Sequence, residues 1–209
     1  MSAPEVIVIG GSAGGMEALR RIFRSFQQPG NTHIFVVLHR PPQASPLVEV
    51  LQSCTKMPLR EPANSPWACP AGTVTLAPAG YHLLIGNSRR LRPDSCTPLT
   101  RYETGCGVRA HLTLDKPVAY SRPSLDVTFS SAAELVNPVT AVLLSCANED
   151  GAVGCEAVQA AGGRVVLQDP ASCEAATAVK AAMRRVQPDH VADPEGIGRW
   201  LSQTVRRVR

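Results

Sequence analysis

Residues Gly10-Gly-Ser-Ala-Gly14 fit the pattern G-x-S-x-G. They follow Val6-Ile-Val-Ile9, a wholly apolar, β-branched run. They precede Met16 to Phe26, where Met16, Leu19, Ile22, Phe23 and Phe26 recur at helical spacing. A serine on a sharp turn between a buried strand and a helix is the context of a nucleophile elbow. The glycines let the backbone turn and leave room around the hydroxyl. The free N–H groups and dipole at the helix start favour an oxyanion forming beside Ser12. Two other readings fit the same segment. A dinucleotide fingerprint, G-x-G-x-x-G, would need glycine where Ser12 stands and an acidic residue after the next strand. The chain has His39-Arg40 there, and Arg40 suits a 2′-phosphate, so NADP stays open. The third reading is a glycine turn that only joins strand to helix.

His39 stands at the end of a second apolar run, Ile34-Phe-Val-Val-Leu38, and Pro41-Pro42 then carry the chain away. In a parallel sheet that strand end lies on the same edge as Ser12, where a histidine can serve as general base. His33, His82, His111 and His190 have no such placement and read as structural or surface residues. A third apolar strand leads into Ser145-Cys-Ala-Asn-Glu-Asp-Gly151. Asp150 there can cap the following helix. It can also reach the far nitrogen of His39, fix its tautomer and stabilise the imidazolium. Glu149 is the neighbouring competitor, less suited to the helix start because its side chain is longer. Ser12, His39 and Asp150 together form a constellation stronger than any one of them.

The elements that must position these residues alternate. Strand and helix patterns cover 6–9, 16–26, 34–38 and 47–54. Ser45-Pro46 offers an N-cap and an N1 proline for the last of these. The pattern resumes after Pro123, with helices near 125–135, 150–161, 173–186 and 194–207 and strands at 141–144 and 164–167. Such alternation predicts an α/β fold with a doubly wound, mostly parallel sheet flanked by helices. Residues 55–123 read differently. Thr73-Val-Thr-Leu76, Tyr81-His-Leu-Leu-Ile85 and Arg90-Leu-Arg92 are short alternating runs between turns, a β-meander or hairpin insertion. No repeat or linker interrupts the chain, and residues 1–209 read as a single domain.

Composition narrows the function classes. The chain has 209 residues, 44% hydrophobic and 18% charged, enough for a sizeable core and too apolar for a disordered tail. A net charge of +4 without a basic stripe gives no support for nucleic-acid binding. The seven cysteines are odd in number and form no C-x-x-C pair, so neither a disulfide framework nor a zinc site is expected. Their usage points to a reducing compartment. Apolar runs fall far short of the ~18 residues of a membrane span, and the start lacks the features of a signal peptide. The expectation is a cytoplasmic protein with no membrane insertion.

Six segments in order resemble the catalytic domain of the chemotaxis protein-glutamate methylesterases, from about residue 5 to about residue 189. They are Gly10-Gly-Ser-Ala-Gly-Gly15, Leu38-His-Arg-Pro-Pro42, Leu76-Ala-Pro-Ala-Gly-Tyr-His82, Arg122-Pro-Ser-Leu-Asp-Val-Thr-Phe129, Glu149-Asp-Gly-Ala152 and Leu167-Gln-Asp-Pro-Ala-Ser172. The resemblance implies hydrolysis of glutamate γ-methyl esters on chemoreceptor helices, with deamidation of glutamines in some members. It implies Ser12 as nucleophile, His39 as base then acid, Asp150 as orienting group, and no metal or organic cofactor. Backbone N–H groups near Ala13 or Ala147 are the oxyanion candidates. The order Ser, His, Asp differs from that of α/β-hydrolases, where the acid precedes the histidine. Three departures matter, one of them the family's late Gly-Met-Pro signature, which reads Ala178-Val-Lys180 here. Family members usually carry an N-terminal receiver domain, whereas the first catalytic strand here begins within a few residues of Met1; a separate regulatory protein is the expected substitute. The family's Gly-Met-Gly before the acidic residues is replaced by Cys146-Ala-Asn148. Against the enzyme stands a reading of different class: a catalytically weak or inactive partner-binding module in a chemosensory-like complex.

Overall fold

Seven residues, Glu5–Gly11, form the first strand (β1), and every one of them is buried. A strand covered on both faces reads as a continuous apolar run, which is why no polar alternation marks it. The computed structural model describes residues 4–26, 30–43, 45–87 and 107–207. Helix α1 (Gly15–Ser25) follows, then β2 (Thr32–Leu38), α2 (Leu47–Gln52), β3 (Leu59–Arg60), β4 (Trp67–Ala68), β5 (Val74–Leu76), β6 (His82–Asn87) and β7 (Val108–Thr113). The second half holds α3 (Leu125–Ala133), β8 (Val139–Leu143), α4 (Ala152–Ala160), β9 (Arg164–Gln168), α5 (Thr177–Met183), β10 (His190–Ala192) and α6 (Pro194–Arg207).

The main sheet has seven strands in the order β10-β9-β8-β1-β2-β5-β3, and each neighbouring pair is parallel. The period of two along β1 divides its side chains between two cores. Val6 and Val8 pack with Leu125 and Phe129 of α3 and with Cys155 and Val158 of α4. Ile7 and Ile9 pack with Leu19 and Ile22 of α1, Leu51 of α2 and Ile197 of α6. Each such fully buried aliphatic side chain contributes roughly 1.5–3 kcal/mol. The chain leaves β1 toward β2 on one side and later returns to its other side as β8. The crevice above β1 is therefore the point where strand order reverses, the usual place for a site in such a sheet.

The segment expected as a meander divides. Strands β4, β7 and β6 form a small antiparallel sheet, with His82 paired to Thr113 and Asn87 to Val108. The Thr73–Leu76 run instead joins the main sheet as β5, beside β2. Its three residues are all buried, as parallel pairing inside a covered sheet requires. The expected run Arg90–Arg92 lies outside the described residues. Strand β7 was not anticipated, because its inward residues include the small Ala110, which gives a weak alternation signal. The small sheet is held to α3 by Thr128 Oγ1, which donates to Leu83 O at 2.7 Å, and by Ile85 N, which donates to Ser131 Oγ at 2.9 Å.

The helix expected over 173–186 is shorter. Pro170–Ser172 is a single 3-10 turn capped by Asp169, and α5 begins only at Thr177. The residues between run beside the exit of β8, where Cys146 N donates to Ala175 O at 2.9 Å and Ser145 Oγ accepts from Ala175 N at 2.9 Å. Backbone groups beyond the end of β8 need partners, and this stretch supplies them in place of a helical turn. Helix α2 has Pro46 at its N-cap and no side-chain cap, so Ser45 does not fill that role. The five described cysteines are all free, and no described helix is long and apolar enough to cross a membrane.

Candidate active site

Three central strands stop at the same level. Gly11 pairs with Leu38, and Gly10 pairs with Leu143. Ser12, His39 and the turn after β8 therefore leave the sheet side by side at its carboxyl edge. Ser12 N donates to Ser145 O at 2.9 Å, and His39 N donates to Gly11 O at 3.1 Å, which ties the three strand ends together. Gly14 follows with φ 74° as the N-cap of α1. A Cβ there would stand 2.7 Å from Glu174 Cβ, so both the dihedral and the space call for glycine.

His39 and Asp150 meet. His39 Nε2 lies 2.7 Å from Asp150 Oδ2. The carboxylate can only accept, so the neutral ring carries its proton on Nε2 and presents the Nδ1 lone pair away from the acid. Nδ1 faces Ser121 Oγ at 3.3 Å and Cys146 Sγ at 3.9 Å. Ser12 Oγ makes no hydrogen bond among the described residues. The nucleophile candidate thus lies beside the base candidate along the sheet edge without touching it, as is common before substrate tightens such contacts. Glu149, the competing acid, is 64% exposed and pairs with Arg184.

Asp150 is fixed more firmly than sequence reasoning anticipated. Its Oδ1 accepts from Ser124 Oγ at 2.8 Å and from Asp126 N at 3.0 Å, and its Oδ2 also accepts from Leu125 N at 2.8 Å. Asp150 therefore caps the N-terminus of α3 rather than that of the helix after it. Asp126, in the first turn of α3, does the same for α4. Its Oδ1 accepts from Gly151 N at 2.9 Å and Gly154 N at 2.7 Å. Gly151 caps α4 with φ 100°, and a Cβ on it would lie 2.6 Å from Leu143 Cδ1. Ser124 was missed as a functional residue, although serine before an apolar helical run is a readable N-cap signal.

These contacts set the protonation states. Burial pushes the Asp150 carboxyl upward, but the hydrogen bonds from His39, the α3 backbone and Ser124 outweigh it and hold its pKa below the usual 3.8. Burial raises Asp126, and the nearby Asp150 charge adds to that rise. Burial opposes a charged His39 ring, yet the hydrogen bond to Asp150 and the Cys146 sulfur together lift its pKa from 6.5 to about 9. Cys146 donates its thiol proton to Asn148 Oδ1 at 3.0 Å, which leaves a sulfur lone pair toward the ring. None of Cys146, Ala147 and Asn148 has positive φ, so this turn does not depend on glycine conformations. The N–H groups of Ala13 and Ala147, the oxyanion candidates, have no acceptor among the described residues. The NADP reading loses its anchor, because Arg40 already holds Glu61 and Ala77 O. No group of His, Cys, Asp and Glu suited to a metal occurs among the described residues.

A histidine–aspartate pair beside a serine turn, on the carboxyl edge of a doubly wound sheet, defines an α/β domain equipped for acid–base work. The chain belongs to the CheB methylesterase family, which it matches over residues 7–201. A protein-glutamate methylesterase/protein-glutamine glutaminase of Cereibacter sphaeroides is 36% identical over 170 residues, 78% of this chain and 41% of its own length. A Leptospira interrogans relative is 29% identical over 195 residues, 92% of this chain and 91% of its own. The crystal structure of the Thermotoga maritima CheB methylesterase catalytic domain superposes with a TM-score of 0.82. Its identity is 25%, and the match covers 97% of this chain and 99% of that one.

Proposed function

We propose that the chain is a single methylesterase-type catalytic domain that hydrolyses glutamate γ-methyl esters on chemoreceptor helices in the cytoplasm, and also deamidates glutamines there. Ser12 Oγ attacks the ester carbonyl while His39 Nδ1 takes its proton. The oxyanion is received by the N–H groups of Ala13 and Ala147. Collapse of the tetrahedral intermediate expels methanol, which leaves with the proton from His39, and the glutamyl group remains esterified to Ser12. Water, deprotonated by the same ring, then attacks the acyl-enzyme and frees the glutamate carboxyl and Ser12. With a glutamine the leaving group is ammonia. Asp150 holds the ring and its tautomer throughout.

The observation that carries this reading is the 2.7 Å bond between His39 Nε2 and Asp150, which leaves Nδ1 as the acceptor at the edge where Ser12 emerges. The test is methanol release from methylated receptor by wild type and Ser12→Ala. Loss of a nucleophile costs on the order of 10⁶-fold in rate. An alanine variant as fast as wild type removes Ser12 from the chemistry. A wild type that binds receptor but releases no methanol makes the chain a binding module.

A further inference from the structure

A cleft of about 490 Å³ opens on His39, lined by Arg40, Pro42, Tyr120, Ser121 and Arg122 among others, with no carboxylate among the described residues of its wall. Arg122 makes two bonds, both through Nη1, to Leu114 O at 3.0 Å and Asp115 O at 3.1 Å. Its Nε is buried and has no acceptor. Nη2 has none among the described residues either, and no carboxylate there pairs with this guanidinium. Nε has no accessible surface, so a carboxylate in the cleft can meet this edge of the guanidinium through Nη2 and not through Nε. Nη2 is thus a charged donor without a protein acceptor on a residue of the cleft wall, and a carboxylate is the partner that such a donor takes.

The neighbours support the same occupant. Arg40, its side chain 9% exposed, also has a buried Nε without a partner, although its charge is matched by Glu61. Arg122 is therefore the unmatched cation among the described residues of the cleft wall. On the other flank of the elbow Glu174 lies against Gly14, so an acidic group is repelled there and drawn to the His39 side. The turn Val118–Ser121 is closed by two backbone bonds and carries Ala119 and Tyr120 at φ 47° and 63°. It holds the Tyr120 ring fully in solvent at the cleft. Non-glycine residues adopt such dihedrals at a cost, which concentrates them where a surface must be presented.

We propose that Arg122 is a specificity-determining residue whose Nη2 donates to the carboxylate of an acidic side chain next to the scissile ester. The site then selects methyl esters embedded in an acidic peptide. This rests on the esterase reading for its substrate, and its test separates the two. Two helical peptides carry one glutamate γ-methyl ester and differ in one neighbouring residue, Glu or Gln. Methanol release gives kcat and KM for wild type, Arg122→Gln and Arg122→Glu. Binding of the same labelled peptides to Ser12→Ala, with and without the Arg122 changes, is read by anisotropy.

Wild type is expected to favour the Glu peptide by about tenfold or more, chiefly in KM, as a charge-assisted pair would give. The preference ratio collapses toward one in Arg122→Gln, and Arg122→Glu prefers a third peptide with Lys at that place. Ratios within one variant cancel any general loosening of the 114–122 segment. Equal handling of the Glu and Gln peptides by wild type, in rate and in binding, overturns the proposal. Arg122-dependent preference in binding without methanol release keeps the subsite and removes the esterase.

Discussion

On the proposed mechanism, the protonation of His39 sets the pH at which this chain works. The ring must be neutral to accept the Ser12 proton, and its pKa is lifted to about 9. At pH 7 about one ring in a hundred is then neutral. The rate should therefore rise roughly tenfold per pH step of one between pH 6 and 8 and level off above about 9. Part of that lift comes from the Cys146 sulfur, 3.9 Å from Nδ1. Cys146→Ala removes the lone pair that favours the protonated ring and leaves the Asp150 bond in place. A full return to 6.5 would raise the neutral fraction at pH 7 roughly 75-fold. Because Asp150 still favours the charged ring, the titration should fall only part of that way and the gain should be smaller. The assay is kcat/KM for methanol release from a glutamate γ-methyl ester peptide between pH 5.5 and 10, with the uncatalysed rate subtracted. A wild-type profile already flat from pH 7 to 9.5 refutes the protonated resting ring. A Cys146→Ala profile that overlays wild type refutes the role of the sulfur.

Asp150→Asn should lower kcat by up to ~10⁴-fold, since an amide no longer dictates the ring tautomer, and equal activity would leave Asp150 as a cap of α3 alone. Ser124→Ala strips one donor from Asp150 and the cap from Val127 N. It should cost about 1–3 kcal/mol in urea unfolding, and a loss under about 0.5 kcal/mol would contradict the accounting. Gly151→Ala meets both a φ of 100° and a 2.6 Å approach to Leu143; it should destabilise by ~2 kcal/mol or more, measured as a drop in thermal midpoint. The raised His39 pKa means that ring protonation stabilises the fold below pH 6.5 and that this contribution is lost as pH rises through about 9. The Tm advantage of wild type over His39→Gln should shrink across that window, and a constant difference would refute the linkage.

The sequence made legible what depends on short-range pattern. Apolar β-branched runs marked β1, β2, β8 and β9, and their parallel register fixes which residues reach the carboxyl edge together. That is why Ser12, His39 and the turn that holds Asp150 could be placed at one edge before any contact was known. What resisted reading depends on distant partners. The run Thr73–Leu76 looks the same whether it pairs with a hairpin neighbour or with β2. Residues 173–176 have helix-compatible types, yet backbone groups beyond β8 hold them out of the helix. Arg122 gives no local sign that one edge of its guanidinium is left without an acceptor, because that follows from which carbonyls its other nitrogen meets.

Asp150 shows what packing adds to a carboxylate that the sequence can name but cannot fix in place. A carboxylate with one partner would be free to turn, and the ring it holds would turn with it. Here four donors occupy both oxygens, three of them from Ser124 and the first turn of α3. Asp126 of that same turn fastens the start of α4, directly after Asp150. Each helix start is thus capped by an acid that neighbours the other, and moving either helix would break both caps. The tautomer of His39 is in this way tied to the packing of α3 on α4 rather than to one side-chain rotamer. A substitution at the α3–α4 contact, distant from any substrate, should therefore affect the rate through the ring it helps to hold.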